Sequence, residues 1–481
     1  MRVFDRIASN AFVLLLSRLF QKLMGFIALW FLVRLMSPSD FGLYSFVLVW
    51  IATASAFTDM GTSSGAVRLW SEDSVRMAKL LPKLFLLRTV FVIIGAVISV
   101  VIWILFYPQL SHWCLIFVCL GIILQFYSVA WTPFQAELNN MPPFIWSAVN
   151  RILVVSVLIL ALIMKAKLPI ILAIEILLPI FLIAKLIKES MAIAKQKIRS
   201  GEDVPSFEIS RIFSDVLPLG IWNILTILYF RIDVFMLMKM TGERFVAEYS
   251  AGFRLIEPLL TLPGVLGASI MPIVVSRWTG MDKEGALRSV DRASRIMPLT
   301  MTLIALPLSV FSEEIIGALF GVTYRNSANV MSLIAWTLPL SGWSYAWSSL
   351  ILAERKYRYN NLLAFLALIV NFIGNLWAIP RYGITGAAAM TVGTELIWSI
   401  GTCAPFAKTH SPLLKNFASH MAVIVLGISI AGTHFGNLTL THRIILLFIA
   451  LFSMTALARI LKLFNSDDIK GIMLFLKRVK K

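Results

Sequence analysis

The sequence predicts an all-α polytopic membrane protein with about 14 transmembrane helices, each a run long enough to cross a hydrocarbon core about 30 Å thick. Three observations carry this: the composition, the spacing of the apolar runs, and the way basic residues alternate between the loops. Of the 481 residues, 59% are hydrophobic and 14% are charged, whereas soluble domains are about 45–50% apolar and about a quarter charged. The apolar runs fall at 11–36, 41–60, 84–107, 111–131, 145–165, 168–188, 212–239, 246–274, 297–319, 328–351, 360–380, 384–405, 418–436 and 442–462. The longest stretches between them, 61–83 and 189–211, fall well short of the roughly 50 residues of a small folded domain.

The opening segment MRVFDRIASN carries two arginines and leads into an apolar run too long for a signal-peptide core. No small-residue cleavage site follows, so no separate signal peptide is expected. Most of the 43 Lys and Arg residues lie on one side of the membrane, in the N-terminus, 61–83, 189–211, 275–296, 352–359, 406–417 and the tail. The other side holds only Arg34, Lys165, Lys167, Lys239, Arg244, Arg325, Arg381 and Arg443. The positive-inside rule therefore predicts cytoplasmic N- and C-termini, which an even number of spans allows. The same bias accounts for most of the +18 net charge without a nucleic-acid partner. The tail motif LKRVKK reads as a contact for anionic lipid headgroups.

Cys114, Cys119 and Cys403 all sit in apolar runs, without metal or disulfide spacing, and read as buried thiols. His112, His410, His420, His434 and His442 show no ligand spacing, and there is no Walker A, dinucleotide-binding or HExxH pattern. No cofactor, no metal and no ATP hydrolysis within this chain are expected, and the chain does not read as an enzyme.

The chain also repeats itself. FLVRLMSPSDFGLYSFV (31–47) resembles FMLMKMTGERFVAEYSAGF (235–253), with Tyr44-Ser45 matching Tyr249-Ser250; Ala136-Glu137 matches Ala353-Glu354; and Glu175 and Glu395 occupy matched places further on. These matches predict two parallel six-helix halves with two helices appended: a bundle at 1–188, a basic cytoplasmic linker at 189–211, a second bundle at 212–405, and two further helices with a basic cytoplasmic tail at 406–481. Two such halves commonly enclose a central substrate site.

Charged residues inside the spans are costly, so each needs a partner, water or a route to the interface. Arg18 and Lys22 share one face of the first span, at depths of roughly 10 and 16 Å at 1.5 Å per residue. Lys22 lies too deep to snorkel well, which favours a cavity-lining role for the pair. Arg254 and Glu257 form an i, i+3 pair, read either as a structural ion pair or as part of a site. Arg231 and Asp233, two residues apart, face different neighbours. Arg88 and Arg151 lie near cytoplasmic span ends and are expected to snorkel or to face a phosphate, snorkelling being favoured. Asp59, Glu175 and Glu395 are the acidic counterparts. A carboxyl group isolated in an apolar helix can exchange a proton and couple transport to an ion gradient, or simply hydrogen-bond another helix. Asp233 and Glu257 are further ion-coupling candidates. Asn371 and Asn375 read as interhelical hydrogen-bonding residues. Pro179, Pro218, Pro258, Pro263, Pro272, Pro298, Pro307 and Pro339 are expected to break or kink their helices.

Several segments resemble the polysaccharide transporters of the multidrug/oligosaccharidyl-lipid/polysaccharide exporter superfamily, the Wzx-type O-antigen flippases. They are LMSPSDFGLYSFV, FTDMGTSSGAVRLWS, YFRIDVFMLMKMTGERFVAEYSAGFRLIEPL, LAERKYRYN and NLWAIPRYGITGAAAM, and the likeness covers nearly the whole chain. It implies two six-helix bundles around a cationic cavity and alternating access. It also implies transfer of an undecaprenyl-pyrophosphate-linked oligosaccharide (O-antigen, capsule or exopolysaccharide unit) across the bacterial inner membrane. Membrane lipids and other polysaccharide assembly proteins would be its partners. Arg18, Lys22 and Arg254 are the foremost candidates for holding the pyrophosphate, with Arg231, Arg88 and Arg151 as further basic lining. A drug/cation antiporter of the same superfamily would need a carboxylate-dominated cavity. A membrane glycan polymerase or ligase would need a sizeable outward loop, and a scaffold role is the remaining alternative.

Overall fold

The computed structural model describes residues 3–200, 205–408, 413–432, 440–461 and 463. Its helices, in order, are α1 (Val3–Leu35), α2 (Pro38–Asp59), α3 (Thr62–Glu72), α4 (Ser74–Phe106), α5 (His112–Ile123), α6 (Thr132–Ala136), α7 (Met141–Ile163), α8 (Leu168–Leu177), α9 (Ile180–Ser200), α10 (Ile209–Met240), α11 (Glu243–Ile256), α12 (Thr261–Thr279), α13 (Lys283–Val310), α14 (Ser312–Phe320), α15 (Ser327–Ile334), α16 (Thr337–Ala353), α17 (Tyr357–Cys403), α18 (Leu413–Gly432) and α19 (Leu440–Ile460). The described residues contain no strand. The tail motif LKRVKK, His410, His434, and parts of the linker and of the loop before α19 lie outside the described residues.

Among the described residues, every sequence-predicted span is occupied largely by helix. Ten segments among the described residues are long and apolar enough to cross a membrane by themselves, and Leu413–Ser429 and Leu447–Ile460 are shorter apolar helices. The breaks follow local chemistry. Ser37 caps α2 by accepting a hydrogen bond from Asp40 N, while Pro38 presets the first turn and Asp40 complements the helix N-terminus. Pro179 falls between α8 and α9, and Pro258 between α11 and α12, because neither can donate the backbone bond that would continue the preceding helix. Pro272, Pro298 and Pro307 are carried inside α12 and α13. The two predicted spans at 360–380 and 384–405 meet at Gly383, whose backbone (φ 56°, ψ −133°) is non-helical and open to glycine in particular.

Two compact units divide after Ala247. In the first, α2 packs against α4, α5 and α10. A Cβ at Gly42 would lie 1.9 Å from the Glu243 carbonyl oxygen, so glycine permits that backbone approach. Phe46, Trp50, Trp103, Tyr107 and Phe235 form a ring cluster with centroids 5.2 Å (Trp50–Trp103) and 5.7 Å (Phe46–Phe235) apart. The cluster's polar atoms are partly satisfied inside it: Trp50 Nε1 donates to Ser99 Oγ (3.0 Å) and Tyr107 OH to the Phe235 carbonyl (2.9 Å). The stretch 61–83, expected to be a loop, is largely helical. Ala66, Leu69 and Trp70 of α3 pack with Met77, Leu80, Leu81 and Leu84 of α4, with Ala194 of α9 and with Phe207. In the second unit, α16 packs between α12, α13 and α17. It buries Trp343 and Trp347 among Val290, Met297, Leu350 and Phe406.

Candidate functional site

The charges expected inside the spans are where the structure adds most. Asp59 ends α2, just before the left-handed residue Met60. Its Oδ2 accepts from Gly61 N (3.1 Å) and its Oδ1 from Ser63 Oγ. Arg88 of α4 approaches the same carboxylate, Nη2 to Oδ1, at 3.5 Å. Arg88 is 2% exposed, so the snorkelling expected of it is corrected. Its face of α4 turns into the bundle, where a headgroup is out of reach and Asp59 supplies the counter-charge. Arg151 of α7 likewise does not snorkel. Its Nη1 donates to Glu175 Oε1 of α8 at 2.7 Å, with side chains 22% and 14% exposed. Glu175, which looked isolated in the sequence, therefore has a cationic partner.

Arg18 and Lys22 lie on the exposed side of α1. Further along the same helix Ala28, Leu29, Leu32 and Val33 are buried, and α1 packs on α7. Gln21 Nε2 reaches the Ser147 carbonyl (3.4 Å), and Phe20 meets Phe144 edge-on at 6.3 Å. α1 thus presents two exposed cations about one turn apart, a geometry able to hold phosphate by an Arg fork and a Lys point charge. On α10, Asp233 is fully buried and Arg231 half-buried.

In the second unit, Arg254 lies in the last turn of α11 and Glu257 in the turn that follows it, both half-buried. Glu395 of α17 is 3% exposed and accepts from Ser341 Oγ at 2.7 Å. Hydroxyls and amides continue along the same helices. Ser399 Oγ bonds Ser344 Oγ (2.9 Å), Asn371 Nδ2 donates to Thr394 Oγ1 (3.3 Å), and Asn375 Nδ2 donates to Asn371 Oδ1 (2.7 Å).

Two polar clusters escaped sequence reasoning. Glu248, 3% exposed, accepts from Asn326 Nδ2 at 3.1 Å. Nearby, burial and then the Glu248 charge raise the pKa of Tyr324. Asp291 accepts from Asn416 Nδ2 (2.8 Å) and pairs with Arg295 Nε (3.2 Å). Glu248 directly precedes the Tyr-Ser of the repeat, the one signal that could have flagged it. Among the described residues, no three His, Cys, Asp or Glu side chains are grouped to hold a metal ion.

Comparison with known proteins places this geometry. Residues 7–276 match the model of a family described as "Polysaccharide biosynthesis protein". The "Probable low-salt glycan biosynthesis flippase Agl15" of Haloferax volcanii is 24% identical over 274 residues, 55% of this chain and 56% of that protein. The "Uncharacterized membrane protein MJ1068" of Methanocaldococcus jannaschii is 22% identical over 169 residues, 35% of this chain and 33% of that protein. The match to the first covers about half of that relative's length and the match to the second about a third. Among solved structures, the inward closed conformation of the lipid II flippase MurJ has TM-score 0.67 at 13% identity, covering 92% of this chain and 97% of that one. The Vibrio cholerae MATE transporter VcmN has TM-score 0.53 at 16% identity, covering 84% and 98%. These likenesses assign the fold: a multi-pass helical architecture shared with transporters.

Proposed function

The chain belongs to the polysaccharide biosynthesis protein family, and on that premise we propose that it is a flippase. Its substrate is a lipid-linked oligosaccharide carried on undecaprenyl pyrophosphate, an O-antigen, capsule or exopolysaccharide repeat unit. It moves that unit across the bacterial inner membrane by alternating access, with both termini in the cytoplasm. The observation that carries this reading is the exposure of Arg18 and Lys22 in the first half of α1, at depths the sequence puts well inside the bilayer. Lipid cannot solvate two cations there, whereas an anionic headgroup can. Arg18 and Lys22 hold the pyrophosphate while the polyprenyl tail stays in the hydrocarbon, and Arg231 assists; Arg254, in the second unit, is a further candidate for contact with the headgroup.

The paired charges fit a second role. A phosphate that competes for the partly exposed Arg151 would release Glu175, a step that couples substrate to a carboxylate able to take up a cation. A cation antiporter of the same fold would instead need carboxylates unencumbered by arginines, and Asp59 and Glu175 are both tied to one.

Deleting the gene and examining the lipid-linked glycans by mass spectrometry tests the function directly. A polyprenyl-linked oligosaccharide should accumulate on the cytoplasmic side, and no accumulation overturns the flippase reading. Lys22→Gln and Arg254→Gln, inserted at normal levels, should each abolish export; wild-type export in both removes them from the site.

A further inference from the structure

Helix α9 carries a feature that transport does not use. The sequence ends the sixth span at 188, yet α9 continues to Ser200. Its inner side is anchored: Ala194, with Met191 and Ile193 beside it, packs into the cluster of Leu69, Trp70, Leu80, Leu81 and Phe207. The extension is thus a fixed part of the first unit.

Its outer side carries Lys185, Lys188, Ala192, Lys195 and Arg199, all exposed. Their spacing of three and four residues places them in one stripe along the helix, about 21 Å long at 1.5 Å per residue. Ala192, Lys195, Gln196 and Arg199 line an open hollow of about 450 Å³. Lys197, off the stripe, is half-buried and pairs with Glu137 at 3.1 Å.

The stripe begins at the membrane boundary. Lys185 Nζ lies 5.1 Å from the centre of the Trp146 ring and 2.9 Å from Glu189 Oε1, and tryptophan marks the headgroup level. The positive-inside bias asks only that basic residues be numerous on one side. It does not ask that they line one face of a helix whose other face is packed.

We propose that this outer face of α9 binds the phosphate headgroups of anionic phospholipids in the leaflet where α9 leaves the membrane. Lys188 meets phosphates at headgroup level. Lys195 and Arg199, further out, reach back along their aliphatic stems, and the hollow above Ala192 admits a headgroup between them. The site stands apart from the intramembrane charges and does not depend on the flippase reading.

The test uses the full chain in neutral detergent, titrated with phosphatidylglycerol or phosphatidylcholine and read by native mass spectrometry. The wild type should retain phosphatidylglycerol in preference. The Lys188→Gln/Lys195→Gln/Arg199→Gln variant should bind it at least about tenfold more weakly, with phosphatidylcholine binding unchanged. Lys188→Arg/Lys195→Arg should keep the preference, which separates lost charge from misfolding. Lys283→Gln/Arg288→Gln, which removes exposed charge at the start of α13, should bind like the wild type. The proposal falls if the triple variant retains phosphatidylglycerol as the wild type does, or if the α13 variant loses it equally. It falls too if millimolar inorganic phosphate displaces the lipid, since free phosphate would then be the ligand.

Discussion

The two halves of the repeat treat their matched acids differently. In the first unit, Glu175 meets a guanidinium, Arg151 Nη1 at 2.7 Å, and Asp59 faces Arg88. In the second, Glu395 is 3% exposed and accepts from the Ser341 hydroxyl at 2.7 Å, in a helix pair rich in Ser, Thr and Asn. The positions are related, but their energetics are not. An ion pair in a low-dielectric bundle holds only while both charges are present, because each has been taken out of water on the strength of the other. A hydroxyl donor accommodates a carboxyl group on gentler terms, since losing it strands no opposite charge. In the first unit, Asp59 and Glu175 are therefore each held by an opposite charge. In the second, the Ser341 hydroxyl donates to the acid.

Removing a partner in each half breaks or upholds this contrast. Asp59→Ala should have the largest effect, because Arg88 is 2% exposed and would keep its charge with the Asp59 carboxylate gone. A loss of about 3–5 kcal/mol is expected, read as a lower apparent Tm in detergent, with Asp59→Ala/Arg88→Met recovering most of it. If Asp59→Ala melts like the wild type, the pair is not what holds α2 to α4. Arg151→Met comes next. Its pair is 22% and 14% exposed, less deeply enclosed than Arg88, so a smaller cost of about 2–3 kcal/mol is expected. A double-mutant cycle with Glu175→Leu should show a coupling of at least about 1 kcal/mol. Simple additivity would mean that the contact is incidental.

How much of this was legible in the sequence depended on the range of the interaction involved. The spans could be read from run length and hydropathy, as could the chain breaks at Pro179 and Pro258 and the division between 360–380 and 384–405, because all of these are local properties. The helical character of 61–83 was hidden because α3 is amphipathic and polar on average, and its apolar residues acquire meaning only against Leu80, Leu81 and Phe207. The partners of Arg88 and Arg151 were hidden for a related reason. Depth along a helix follows from residue number, but the direction a side chain faces depends on how neighbouring helices are rotated. Snorkelling was the sensible expectation for a cation near a span end, until α4 and α7 turned those residues inward. The exposure of Arg18 and Lys22 is the converse case: their i, i+4 spacing put them on one face, and that face is exposed at their level though buried further along at Leu29 and Val33.

The smallest expected effect tests the second unit's side of the contrast. Ser341→Ala removes one hydrogen bond to Glu395 without exposing an opposite charge, so a loss of about 1–2 kcal/mol is expected. Glu395→Gln keeps an acceptor oxygen for the Ser341 hydroxyl and keeps the side-chain volume. In the first unit, Glu175→Gln keeps an oxygen as well but deletes the charge that Arg151 needs. If the contrast is real, Glu395→Gln should shift the apparent Tm by less than Glu175→Gln does. Equal shifts, or a larger one at Glu395, would mean that the second unit also depends on its carboxylate being charged. The hydroxyl network would then be the setting of an anion rather than a neutral substitute for one.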